Sequence, residues 1–292
     1  MYKIASSTRG LVVGDVVGSL IEGAKVSHDN YPATMIVGHH YEEPRGDRSG
    51  EIVSSMKLVI DGCRPTDDTV LGCALIEWLM GKNEIAHCFH HWVKKYPDAG
   101  FGSRFKEWAI EKRTTIGDSW ANGAAMRIAP VVDVAKSVAE LLVLAGESAM
   151  ATHAHREAVA GAQAIALAAY LAKNKSSNLV IKETLLSIFG RYGYNDFTTS
   201  IDELRPGLSN TSRAIDTVPV AIMAFFEASD FTDCLRKALS MGNDADTIAA
   251  MACTIAAQRW KIPEVLWLQV SNKLPEDILT CISTFEQYIS SS

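Results

Sequence analysis

The sequence predicts an all-α protein forming a single domain over residues 1–292, and three observations carry that prediction. Apolar residues recur with the 3.6-residue helical period along most of the chain, strict alternation of apolar and polar residues is scarce, and no linker divides the chain. A hydrophobic content of 48% is ample for a substantial core.

The first expected helix covers residues 8–22, "TRGLVVGDVVGSLIE". It places Asp15, Gly18 and Glu22 at i, i+3 and i+7 on one face. Gly14 and Gly18 each cost roughly 1 kcal/mol of helix propensity relative to Ala, so close approach of a neighbouring helix or ligand is expected there. The alternative is a solvent-facing acidic stripe on an amphipathic helix. Leu71, Ala74, Leu75, Trp78 and Leu79 form the second apolar stripe, directly after the acidic stretch "PTDDT". Helices follow over 84–95, where His87, His90 and His91 of "HCFHHW" read as a helix surface without carboxylate companions, and over 103–112, where "EWAIEKR" reads as a solvated mixed-charge face.

Periodicity extends the series to 133–148 and 156–173. The second contains "VAGAQAIALAAYLA", too short and alanine-rich for a membrane span and expected to be buried on all sides. Further helices are expected over 180–190, 217–227, 231–241 and 263–272. Between the last two, Ile248, Met251, Ala252, Ile255 and Ala256 make a stripe that again follows an acidic stretch, "GNDADT". Two segments, 28–50 and 191–213, are rich in turn formers and charge and read as binding loops or lids.

Composition excludes some partners. A formal charge of -6, with lysines and arginines scattered among acids, disfavours general nucleic-acid binding. The six cysteines show no CxxC pair, and the N-terminal apolar run is broken by Asp15, so a reducing, cytoplasmic setting without a membrane span is expected. Oligomeric state is left open.

The two acidic stretches carry the chemistry. An N-cap needs one oxygen to satisfy orphan backbone N–H groups, yet Thr66, Asp67 and Asp68 precede one stripe while Asp244, Asp246 and Thr247 precede the other. Asp68-Thr69-Val70 matches Asp246-Thr247-Ile248, so one device occurs twice. Were the two helix starts to meet, their carboxylates would repel, and one or two hard divalent cations would resolve the repulsion. Two independent N-caps with an extra solvated aspartate are the plainer alternative. In "SWANGAAMRIAP", the small residues after Asn122 read either as a simple tight turn into a helix or as a turn that brings backbone N–H groups within reach of an anion or sugar. His153 and His155, at i and i+2 ahead of the alanine-rich helix, read as capping or core histidines, with a ligand role as the alternative.

The ordered set "GDVVGSLIE", "PTDDT", "NGAAMRIAP", "THAHREAVAGAQAIALA" and "GNDADTIAAMACTIA" resembles the ADP-ribosylglycohydrolase family, which includes dinitrogenase-reductase-activating glycohydrolases and ADP-ribosyl-acceptor hydrolases. The resemblance spans nearly the whole chain. It implies orthogonally packed helices around a binuclear Mg²⁺ or Mn²⁺ centre held by Thr66, Asp67, Asp68, Asp244, Asp246 and Thr247. It implies Glu22 as the catalytic acid beside the scissile bond. It also implies that Ser119, Asn122, Gly123, Ala124, Met126 and His153 line an ADP-ribose attached to a protein or small-molecule acceptor. Ala121 and Asn243 replace glycines frequent in the family, and Arg156 stands where proline is common. Two other functions are consistent with the same residues: a two-metal hydrolase of another bond, such as a phosphoester, and a non-catalytic ADP-ribose-binding relative.

Overall fold

A computed structural model describes residues 3–22, 62–113, 117–208 and 211–291. The described residues are all-helical: α1 (Ser6–Gly18), α2 (Asp67–Leu79), α3 (Ile85–Lys95), α4 (Ser103–Ile110), α5 (Ala129–Val134), α6 (Val138–Met150), α7 (Arg156–Lys173), α8 (Asn178–Phe189), α9 (Ile201–Leu204), α10 (Ala214–Phe226), α11 (Phe231–Leu239), α12 (Ala245–Arg259), α13 (Glu264–Ser271) and α14 (Glu276–Ser291). Short 3₁₀ turns lie at Asn122–Ala124, Gly190–Tyr192 and Arg205–Gly207. No described helix is long and apolar enough to cross a membrane.

The fold is built around α12, whose residues from Ala245 to Ala257 are all buried. A helix apolar on every side must be enclosed by others, and its small side chains let them come close. The tightest neighbour is α1. A Cβ on Gly10 would stand 2.2 Å from the Cys253 carbonyl oxygen, one on Gly14 2.3 Å from that of Ala249, and one on Gly18 2.4 Å from the Cα of Asp246. Ascending positions on α1 thus meet descending positions on α12, and the two helices run antiparallel in backbone contact. The helical glycines are there because nothing larger fits.

The N-terminus of α1 lacks a side-chain cap of its own. Asp133 of α5 supplies one, accepting from the Ser7 amide at 3.0 Å, the Thr8 amide at 2.8 Å and the Thr8 hydroxyl at 2.7 Å. Gln258 of α12 donates to the same carboxylate at 3.1 Å. Helix α1 is therefore fixed at its start by Asp133 and along its length by α12, so its C-terminal end has a defined position.

Several expectations are corrected. The first helix stops at Gly18 rather than 22: the following residues form a tighter turn in which the Ile21 amide donates to the Gly18 carbonyl at 2.8 Å, and the Ser19 hydroxyl donates to the Val16 carbonyl at 2.9 Å. Asp15 and Glu22 therefore do not share a helical face. The expected helix over 133–148 is two, since Ser137 caps a new start by accepting from the Glu140 amide. His90 is buried, and its Nε2 lies 3.1 Å from the Arg113 carbonyl. His91 does have a carboxylate companion, Glu77, at 2.9 Å. Trp108 and Ala109 of "EWAIEKR" face the core.

The segment 191–213 is not simply an exposed loop. Tyr194, Phe197 and Ile201 are buried, and Ser200 and Glu203 form a reciprocal capping box at α9. The segment 28–50 lies outside the described residues. Helix α14 is an addition to the expected series.

Candidate metal centre

Three helix ends converge at one end of the α1–α12 pair: the C-terminus of α1, the N-terminus of α2 and the N-terminus of α12. Asp15, one turn before the end of α1, joins the first two. Its carboxylate is fully buried and accepts from the Thr66 hydroxyl at 2.6 Å, the Thr66 amide at 3.0 Å and the Thr69 amide at 3.1 Å. Two amides that α2 leaves unpaired at its start are thereby satisfied from another helix.

The two N-cap side chains do not cap their own helices. Neither Thr66 nor Asp244 makes a side-chain cap hydrogen bond. Thr66 gives its single hydroxyl proton to Asp15 and so turns its lone pairs towards Asp68 Oδ2 and Asp246 Oδ2, at 3.4 and 3.5 Å. Asp244 accepts from Asn122 Nδ2 at 2.6 Å. The plainer alternative of two independent N-caps does not describe this arrangement.

Across the gap, the Thr247 hydroxyl lies 3.3 Å from Asp68 Oδ2. Ligand atoms of Asp15, Asp68 and Asp246 all lie within 4.8 Å of one another, and all three residues are buried. Asp68 Oδ1 is buried without a hydrogen-bond partner. Among the described residues, none of Asp15, Asp67, Asp68, Asp244 and Asp246 forms an ion pair with Lys or Arg.

Burial raises the proton affinity of every one of these carboxylates, and mutual repulsion adds to it for three. Asp67 is pushed up to about 8, first by burial and then by the charges of Asp15 and Asp244. Asp246 is pushed to about 9 by burial and then by Asp15 and Asp244. Asp68 is held well above the usual carboxylate range by burial, Asp15 and Asp246. Asp244 rises to about 6 through burial, with the Asn122 hydrogen bond opposing. Asp15 is raised by burial against the hydrogen bonds from Thr66. A divalent cation reverses this logic, since it favours the ionised oxygens that repel without it. The unpartnered Asp68 oxygen and the all-oxygen donor set fit a hard divalent ion such as Mg²⁺ or Mn²⁺.

The remaining expected site residues lie around this cluster. Glu22 is exposed just beyond α1, and its charge reaches Asp67, Asp244 and Asp246. Asn122 joins Asp244 to Thr217 Oγ1, the latter at 3.1 Å. Met126 Sδ lies 3.9 Å from the Thr247 hydroxyl. Ala124 is fully buried, and the Ser119 hydroxyl accepts from the Ala121 amide at 3.2 Å, a local turn. Isolated bridges pair Asp118 with His153 and Ala121 with Arg213, pinning this segment beside the starts of α7 and α10. A Cβ on Gly123 would stand 2.9 Å from His153 Nε2, so any larger residue here would displace the imidazole. His155 caps α7, its Nδ1 accepting from the Glu157 amide.

Two participants are absent from the sequence-derived site. Asp15 organises both acidic stretches, and its one legible signal is a carboxylate inside an apolar, glycine-flanked run. Arg127 is fully buried near His153 and Asp67, with nothing in "AAMRIAP" to mark it beyond a cation in an apolar segment.

Helices enclosing an all-oxygen acidic cluster, with a small-residue turn against it, describe a buried site of the kind that suits a hard divalent cation. The family model described as ADP-ribosylglycohydrolase matches residues 3–288, and the chain belongs to the ADP-ribosylglycohydrolase family. At the level of the family, the chemistry is hydrolysis of ADP-ribose linkages, and the family uses divalent metals. Similar proteins include human ADP-ribosylhydrolase ARH3, 28% identical over 88% of this chain and 85% of its own length. An uncharacterized protein of Archaeoglobus fulgidus is 27% identical over 91% of this chain and 90% of its own. A solved structure titled "ADP-ribosylglycohydrolase-related protein complex" superposes with a TM-score of 0.66 at 23% identity, covering 97% of this chain and 96% of that one, which confirms the all-α fold.

Proposed function

We propose that this protein is a metal-dependent hydrolase that cleaves the bond between the anomeric carbon of ADP-ribose and an acceptor. The observation that carries the reading is the convergence of Asp15, Asp68 and Asp246 in one buried cluster, with Thr66 and Asp244 withdrawn from capping their own helices.

In this reading Thr66, Asp67, Asp68, Asp244, Asp246 and Thr247 hold two divalent cations, Mg²⁺ or Mn²⁺. Such ions supply Lewis-acid stabilisation to charge developing on ribose and water oxygens. Asp15 holds the Thr66 hydroxyl proton away from the cluster, so that Thr66 presents lone pairs to it. Asn122 orients Asp244 through the 2.6 Å bond. Ser119, Asn122, Gly123, Ala124, Met126 and His153 line the ADP-ribose. Glu22, on the exposed rim, exchanges a proton with water or with the leaving group as the glycosidic bond breaks through an oxocarbenium-like state.

The test is a panel of ADP-ribosylated arginine, serine, nucleic-acid-end, small-molecule and polymer substrates, each incubated with Mg²⁺, with Mn²⁺ and with chelator. Release of free ADP-ribose with metal and not with chelator is expected for at least one acceptor. Undiminished release in chelator, or none from any acceptor with either ion, refutes the proposal.

A further inference from the structure

The structure holds a second buried network, outside the acidic cluster, in which a fully buried arginine and a threonine reach His153. Arg127 Nη2 lies 2.8 Å from Thr152 Oγ1 and 3.0 Å from the Ser148 carbonyl oxygen. Thr152 Oγ1 lies 2.7 Å from His153 Nδ1. The guanidinium stacks 4.3 Å from the centre of the Phe89 ring. Thr152 and His153 are themselves almost wholly buried.

Arg127 Nε and Nη1 are buried without a hydrogen-bond partner, and of the proton arrangements open to Thr152 and His153 only one pairs the threonine hydroxyl both as acceptor and as donor. A guanidinium can only donate, so Thr152 Oγ1 accepts from Arg127. The threonine has one hydroxyl proton, and among the described residues its one available acceptor is His153 Nδ1. In the opposite arrangement Nδ1 would carry a proton. Two N–H groups would then point at one buried oxygen, and the hydroxyl proton would have no partner, at a cost of about 1–3 kcal/mol. A doubly protonated ring would also carry the proton at Nδ1 that this geometry disfavours, and burial, followed by the Arg127 charge, holds the imidazole well below its ordinary range.

We infer that Arg127, acting through Thr152, is a positioning residue that fixes His153 as the neutral tautomer protonated at Nε2. That nitrogen is the edge of the ring that faces Gly123, at the Asn122–Ala124 turn. His153 thus offers a fixed N–H donor and no base. A histidine so held recognises an oxygen that accepts, such as a phosphate or ribose oxygen of ADP-ribose, and leaves proton transfer to Glu22. The identity of that ligand rests on the function proposed above, whereas the tautomer does not.

The experiment uses the full chain labelled with ¹⁵N-histidine and long-range ¹H–¹⁵N spectra, the His153 resonances being assigned by their loss in His153→Gln. Wild-type protein is expected to show a pyridine-type Nδ1 and a pyrrole-type Nε2. Thr152→Ser, which keeps the hydroxyl, should preserve that pattern. Thr152→Val, nearly the same shape, should give a mixture of tautomers and weaken ADP-ribose binding about tenfold by calorimetry, with Thr152→Ser restoring it. A pyrrole-type Nδ1 in the wild type, or a Thr152→Val spectrum identical to it, overturns the inference. Wild-type protein with the expected tautomer that fails to bind ADP-ribose would confirm the tautomer and overturn the ligand reading alone.

Discussion

Replacing Gly18 by alanine tests the link between helix packing and the acidic cluster. The new Cβ would stand 2.4 Å from Asp246 Cα and 2.9 Å from its amide nitrogen, where ordinary contact begins at 3.4 Å. Both obstacles are backbone, so the end of α1 and the start of α12 must separate by about 1 Å, the shortfall from ordinary contact. Overpacking of this kind costs about 1–3 kcal/mol, and the helix-propensity gain of up to ~1 kcal/mol is small at a terminal position. Metal ligands tolerate displacements of only about 0.2 Å, so moving Asp246 that far should lower Mn²⁺ affinity at least tenfold. Gly10→Ala is the control, since its Cβ would meet the Cys253 carbonyl at 2.2 Å, two turns from the cluster. Gly72→Ala is a second control, its nearest neighbour being a Leu11 methyl at 3.5 Å. Thermal unfolding of metal-free protein and Mn²⁺ calorimetry should find Gly10→Ala and Gly18→Ala both destabilised, Gly72→Ala as stable as wild type or better, and Mn²⁺ affinity impaired most in Gly18→Ala. Equal metal affinity in the Gly10 and Gly18 variants would refute the reasoning.

Asp246→Ala should abolish turnover and weaken metal binding together; full activity in chelator would contradict it. Glu22→Gln should lower kcat at least a hundredfold while calorimetry finds metal affinity within about threefold of wild type, as expected for a proton-transfer group that holds no metal. The metal-free protein should lose stability as pH rises. Asp244, Asp67 and Asp246 have folded-state affinities raised to about 6, 8 and 9 from an ordinary 3.8, so their contribution is present below about pH 4 and is lost as pH climbs through those values. Saturating Mg²⁺ should therefore raise Tm more at pH 9 than at pH 6, and a pH-independent increment would count against the shared cluster. Asp133→Ala should cost about 3–5 kcal/mol in denaturant melts, because it strips the acceptor from both Ser7 and Thr8 at the start of α1; a loss below ~1 kcal/mol would remove Asp133 as the cap.

Much of this architecture could be read from the chain. The duplicated Asp-Thr signature marks two helix starts, and the cost of Gly14 and Gly18 requires a close neighbour, which α12 supplies. The partner's identity was not legible, because a 3.6-residue period says which face is buried and not against what. Asp15 shows why the site itself was only half visible. Its acceptor role depends on Thr66 and Thr69, more than fifty positions away, so in sequence it is one acid on an apolar helix. Arg127, Thr152 and His153 are likewise joined only by tertiary contact. Helix boundaries failed where a side chain competes with the backbone, as Ser19 does after α1 and Ser137 does before α6. Helix α14 was within reach, since Pro275 followed by Glu276 and Asp277 is a helix-start pattern.

The antiparallel seam between α1 and α12 also has a consequence for biosynthesis. A ribosome delivers Asp15 and Asp68 long before Asp246, and the nascent chain meanwhile carries half a centre with its glycine-lined groove unfilled. Non-local pairing of this kind is slow and leaves apolar surface exposed until the late helix arrives. In the proposed reading, the acidic cluster is therefore complete only once α12 has docked against α1.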